Sequence, residues 1–188
     1  MKDGISIACL GDVTLDAELG NQVAQAGIEA IAEKLWSPVA GTDLVLLNLE
    51  GPITERPFSV ERRYNFRNPP ILPQLLDPRF CVGLANNHVQ DCGEAGLQDT
   101  LDALRVKGLV YAGAGHNLPE ACLPIIREVQ GLRIGILCAA DPRFHPAADS
   151  LPGTFPARPD LLQSSLRDLR KRADVIVVSI HMGMEFLP

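Results

Sequence analysis

Six short apolar runs, at residues 5–10, 44–49, 80–85, 109–112, 132–139 and 175–180, recur along the chain with helix-patterned stretches between them. Runs of this length suit strands, and strands alternating with amphipathic helices specify an α/β domain. Residues 20–36 carry Val23, Ile28, Ile31 and Leu35 at helical spacing before Pro38 stops the pattern. Residues 93–107 repeat this with Leu97, Leu101 and Leu104, and residues 160–172 with Leu161, Leu162, Leu166 and Leu169. These segments read as surface helices covering a sheet. The runs at 124–129 and 132–139 are separated only by Gln130-Gly131, which predicts a β-hairpin and hence a mixed sheet system. Two irregular segments rich in Pro and Arg, 51–70 and 141–159, exceed the length at which loops of a compact domain usually carry function or are disordered. No repeat and no composition break divides the 188 residues, so one domain is expected.

Composition narrows the partners. A formal charge of −6 argues against a general grip on nucleic acid or anionic membrane. Five cysteines without a CxxC pair read as small buried hydrophobes in a reducing compartment, which argues against a thiolate metal site. With no signal-peptide pattern and no run near the roughly 20 apolar residues that span a bilayer, a cytoplasmic location is expected for the chain as it stands, or for a fragment of something larger.

The chemistry collects at strand ends. Four apolar runs close in polar residues able to bind a metal or move a proton: CLGDVTLD, with Asp12 and Asp16; LLNLEGP, with Asn48 and Glu50; GLANNHVQD, with Asn86, Asn87, His88 and Asp91; and VSIHMGME, with His181 and Glu185. In α/β sheets, ligands bind outside the carboxyl ends of the strands, so these four endings are expected to converge. One such ending would be ordinary turn chemistry. Four, carrying Asp, Glu, Asn and His without thiolate, make a donor set for a hard or borderline divalent ion such as Mn, Fe, Zn or Mg.

GDVTLD, NLEGPIT, ANNHVQDCG, GAGHN and HMGMEFLP, in that order from residue 11 to 188, resemble the bacterial capsule synthesis protein family associated with poly-γ-glutamate. That family is similar to the calcineurin-like metallophosphoesterases. The resemblance implies two packed mixed β-sheets flanked by helices, a four-layer sandwich. It places Asp12 and Glu50 as acidic metal ligands, Asn87 as a neutral one and His181 as an imidazole ligand, for one or two ions of Mn, Fe or Zn. His88 would then donate a proton to substrate, with Asp91 orienting its ring. From residue type alone, Asp91 serves equally well as a charge or cap at the start of the helix at 93. Two departures stand out. Thr14 occupies the position where a metallophosphoesterase carries the histidine of Asp-x-His, and the chain ends at Pro188 before any His-x-His. The last ligands and the C-terminal strands are therefore expected to lie outside these residues.

Two functions follow from the resemblance: a metal-dependent phosphoesterase of capsule or polyglutamate synthesis, or a non-catalytic component that binds polymer or partner proteins. The expected substrate is an anionic phosphoester or polyglutamate-type molecule, and membrane proteins of capsule synthesis are the implied partners; no residue pattern points to an oligomeric state. His116, in the Gly-rich turn at 113–117, reads as turn geometry, and His145 as a solvated loop histidine. Arg62, Arg63 and Arg67, interleaved with Tyr64 and Phe66, read either as an anion-recognising lid or as a loop whose aromatics pack down.

Overall fold

The computed structural model describes residues 4–15, 18–59 and 62–183. Asp16 and Glu185 lie outside the described residues. The first sheet contains β1 (Ile7–Val13), β2 (Leu44–Leu49), β3 (Phe80–Gly83) and β4 (Val110–Ala112), in that spatial order and all parallel. Successive crossovers run through α1 (Glu18–Ala26) and α2 (Ile28–Trp36), through the segment 51–79, and through α3 (Gly93–Lys107). The single helix read over 20–36 is two helices: Gly27, at φ 84° and ψ 152°, has a backbone conformation that cannot continue a helix. By contrast α3 spans the residues its leucine spacing predicts. It ends at left-handed Gly108, whose amide bonds Leu104 and Arg105 carbonyls.

The second sheet joins β6 (Ile125–Val129), β7 (Leu132–Ala140) and β9 (Val175–His181). Strands β6 and β7 form the expected hairpin, with Gln130 at φ 49° and Gly131 at φ 81° supplying the two left-handed residues of a tight two-residue turn. β9 adds to β7 in parallel after α5 (Pro159–Leu169), so the mixed character sits in this sheet alone. A short antiparallel pair, β5 (Ala114–Gly115) with β8 (Gly153–Thr154), ties the two long connections together, and α4 (Leu118–Ala121) follows β5.

Side-chain alternation decides the layering. Along β2, Val45, Leu47 and Leu49 pack outward with Leu97, Leu101 and Leu104 of α3, while Leu44 and Leu46 face Ile134, Ile136 and Cys138 of β7. On the far face of β7, Leu137 and Ala139 meet Leu169 of α5 and Ala121 of α4. The result is helices, sheet, sheet, helices, with each buried leucine contributing about 1.5–3 kcal/mol. Among the described residues no helix is long and apolar enough to cross a membrane.

The inter-sheet core explains the thiols. Burial raises Cys81 to about 11 and Cys138 to about 12, whereas Cys9 is exposed on β1. In the native protein at pH 8 a thiol reagent should therefore modify Cys9 first and leave Cys81 and Cys138 unmodified until denaturant is added. Peptide mapping of the labelled chain gives the order directly.

Candidate functional site

Parallel pairing brings the carboxyl ends of β1, β2 and β3 to one edge. Asp12 lies opposite Asn48, and Asn48 opposite Gly83, so Glu50 and the Asn86-Asn87-His88 turn emerge side by side. One extra residue on β1 between Cys9 and Asp12, with Gly11 at φ 71°, forms a bulge in the β1–β2 pairing just before Asp12. Bulges beside sites commonly re-aim a side chain in this way. His181 arrives from the other sheet as the last residue of β9, opposite Ala140.

One donor atom each from Asp12, Glu50 and His181 lies within 4.8 Å of the others. His181 Nδ1 is 3.4 Å from Asp12 Oδ1, and its Nε2 is 3.7 Å from Glu50 Oε1 and 2.8 Å from Asn87 Oδ1. Asn48 donates to Asp12 Oδ1 at 2.7 Å, and its own Oδ1 accepts from Asn86 at 3.2 Å. Burial, followed by the negative charge of Asp12, raises the Glu50 pKa. A divalent ion fits this donor set: a partly buried carboxylate and an exposed one lie close together beside an imidazole, and a cation among them would offset both the burial and the repulsion that raise Glu50. Thr14 contributes nothing to the cluster, because its hydroxyl turns to Asn68 Oδ1 at 3.4 Å.

Beside the cluster, His88 Nδ1 meets Asp91 Oδ2 at 2.7 Å, with the His88 side chain 9% and the Asp91 side chain 0% exposed. A carboxylate only accepts, so Nδ1 carries the proton. Asp91 Oδ2 also accepts the Phe66 amide at 2.8 Å, and the Phe66 ring stands edge-on to His88 with centroids 4.4 Å apart. Asp91 is not the cap of α3; that position belongs to Cys92, which makes no side-chain cap bond. Asp12, Glu50, Asn87, His88 and His181 all line one cleft of ≈ 600 Å³, together with Tyr64, Phe66, Arg143 and Phe144.

Other readings change. His116 pairs with Glu120 at 2.6 Å, away from the cleft, as the turn reading expects. His145 is half-buried rather than solvated, and its Nε2 lies 3.1 Å from Arg62 Nη2. Arg62 and Arg67 do not form an anion-recognising lid: Arg62 is spent on Asn87 O and His145, and Arg67 on the Glu55 and Arg56 carbonyls. The alternative reading, that the loop's aromatics pack down, holds for Phe66, which packs on His88, but not for Tyr64, which is exposed. The cleft-facing arginine is Arg143, braced by Asp141 at 2.6 Å and holding that carboxyl down to about 2. Asn68 has no precedent in the sequence reading. Fully buried, it accepts from the Leu15 amide and donates to the Glu50 and Gly51 carbonyls, joining the loops after β1 and β2. Nothing in NFRNPP marks it, because its partners are backbone groups distant in sequence.

The family model described as bacterial capsule synthesis protein PGA_cap matches residues 6–188. The PGA biosynthesis protein CapA of Bacillus subtilis is 28% identical over 191 residues, covering 98% of this chain and 50% of the relative. The capsule biosynthesis protein CapA of Bacillus anthracis is 26% identical over 202 residues, covering 98% of this chain and 48% of that protein. A probable polyglutamine synthesis accessory protein of Mycobacterium tuberculosis is 31% identical over 159 residues, covering 76% of this chain and 42% of its own length. The chain thus spans about half the length of the curated relatives it matches. Among solved structures, a phosphatase from Mycoplasma pneumoniae superposes with TM-score 0.52 at 18% identity, covering 98% of this chain and 57% of that one. A putative 5′-nucleotidase from Staphylococcus aureus gives 0.51 at 18% identity, covering 96% and 38%. These two share the fold.

Proposed function

The chain belongs to the bacterial capsule synthesis protein family, and on that premise we propose that its cleft is a divalent-metal-dependent phosphoesterase-like site serving capsule or poly-γ-glutamate synthesis. The observation that carries this reading is the juxtaposition of two clusters, the Asp12, Glu50 and His181 donors and the His88–Asp91 pair, on one cleft. Asp12, Glu50 and His181 hold the ion, with the Asn87 carboxamide oxygen adjacent as a neutral donor. When bound, the ion supplies Lewis-acid polarisation of a phosphoryl oxygen and a lowered pKa for water.

The protein's own groups do the rest. Asp91 keeps the His88 proton on Nδ1, so protonation at Nε2 makes the ring a donor to a leaving-group oxygen. The Phe66 ring packs against that imidazole. Arg143 stands at the rim, where its remaining N–H groups suit an anionic substituent. The test is to strip metal from the protein, add Mn, Fe or Zn singly, and follow both melting temperature and phosphate release from a panel of phosphomonoesters and diesters. Metal-dependent release is expected; no thermal response to any of the three ions overturns the reading.

Thr14 favours a second reading, since it removes one histidine donor and turns its hydroxyl to Asn68. In that reading the cleft binds γ-linked glutamate polymer without turnover. Binding of γ-linked glutamate oligomers that Arg143→Ala weakens, with no phosphate released from any ester, selects it.

A further inference from the structure

The acid pair is held from outside the cleft by two side chains from the two long loops. Asp91 is fully buried, yet among the described residues its Oδ1 has no hydrogen-bond partner; Arg62 Nη1 lies 3.6 Å from it. The same Nη1 donates to the Asn87 carbonyl at 3.0 Å, and Nη2 lies 3.1 Å from His145 Nε2. A guanidinium has no acceptor, so His145 must receive this hydrogen bond on an unprotonated Nε2 and carry its proton on Nδ1. The burial of His145 and the positive charge of Arg62 both favour that neutral ring.

The loop is shaped to deliver this ring. His145 has φ 46°, a left-handed conformation uncommon for a non-glycine residue. The Thr154 amide donates to the His145 carbonyl at 2.8 Å, and the Thr154 hydroxyl bonds the carbonyls of Phe144 and His145. At Gly153 a Cβ would fall 2.2 Å from that carbonyl, so only glycine admits the approach. Backbone strain that neighbouring contacts over-determine accompanies functional positions. Here its effect is to aim an imidazole acceptor at Arg62.

We propose that Arg62 and His145 form a clasp between the loops at 51–70 and 141–159 that positions the His88–Asp91 pair and the Asn87 carboxamide. His145 accepts from Nη2 and fixes the guanidinium plane. The guanidinium then places positive charge beside Asp91 Oδ1 and anchors the Asn87 backbone. Neither residue touches the reacting atoms; both are positioning residues. The turnover half of this inference rests on the phosphoesterase reading, and the geometric half does not.

Glutamine can present an amide oxygen near the position of Nε2, whereas phenylalanine fills the space without an acceptor. The test therefore compares His145→Gln, His145→Phe and Arg62→Ala in 15N-histidine-labelled protein. With four histidines in the chain, single substitutions assign the ring signals. The His88 Nδ1 proton bonded to Asp91 should give a downfield resonance in the metal-free native protein. It is expected to persist in His145→Gln and to broaden or shift upfield in His145→Phe and Arg62→Ala. Manganese-dependent kcat should fall about tenfold in the latter two with KM within about twofold, and recover most of its value in His145→Gln. An unchanged His88 resonance in both His145→Phe and Arg62→Ala overturns the clasp. Equal loss in His145→Gln and His145→Phe also overturns it, since packing alone would then explain the effect. If the resonance responds as expected while even the native protein releases no phosphate, the phosphoesterase reading fails and the clasp stands.

Discussion

Manganese is expected to raise the melting temperature of the native chain, and replacing Asp12 by Asn to erase both that rise and all metal-dependent phosphate release. An ion that binds only the folded cluster would add about 2.7 kcal/mol at a hundredfold excess over its dissociation constant. For a chain of this size that corresponds to about 5–10 °C. His88→Gln should part the two readouts, lowering turnover about 10²–10⁴-fold while leaving the thermal response intact, because His88 lies beside the donor cluster and not within it. Glu50→Gln should reverse sign with metal. Its folded pKa is raised, so the folded state holds the proton more tightly than the unfolded chain does. The ionised carboxylate therefore opposes folding of the metal-free protein at neutral pH, and that penalty is relieved as pH falls through the raised pKa. Glu50→Gln should accordingly melt above the native chain without metal and below it with metal. Differential scanning calorimetry with and without manganese checks all three variants.

Gly51→Ala is expected to destabilise the chain by about 2–4 kcal/mol, a drop of about 5–15 °C in melting temperature. Gly51 follows Glu50 at φ 85°, and an added Cβ would lie 2.7 Å from the backbone of Phe66. The strain cannot be relieved locally, since the Phe66 amide donates to Asp91 and Asn68, two residues further on, is fully buried. Loss of turnover beyond the loss of folded protein should accompany the melting shift, because displacing Phe66 disturbs the ring packed on His88. A fully stable Gly51→Ala protein would show that the close approach of these two loops is not required.

Much of the frame was legible in advance because periodicity reports burial. The leucines of α3 and the Gln130-Gly131 turn declare a helix and a hairpin from local pattern alone. The break at Gly27 was less legible: glycine is tolerated within helices, and only the observed φ shows that it ends one. The sheets were harder still. Parallel and antiparallel pairing leave similar apolar runs, so the all-parallel character of the first sheet depends on partners distant in sequence.

The same division runs through the site. The linear pattern marks out candidate donors, because Asp12, Glu50, Asn87, His88, Asp91 and His181 are polar residues in or just after apolar strand runs, and the order of the motifs identifies the family. Which partner each side chain takes is settled by folding. Asp91 could cap a helix or hold an imidazole, and it holds His88; Arg62 could face solvent or the interior, and it bridges Asn87 and His145. Such choices depend on close backbone approaches between segments that are not neighbours in sequence, as where Gly51 meets Phe66 and Gly153 meets His145. Residue type sets the donors and acceptors a side chain can offer, but only the folded chain sets which of them come within hydrogen-bonding distance.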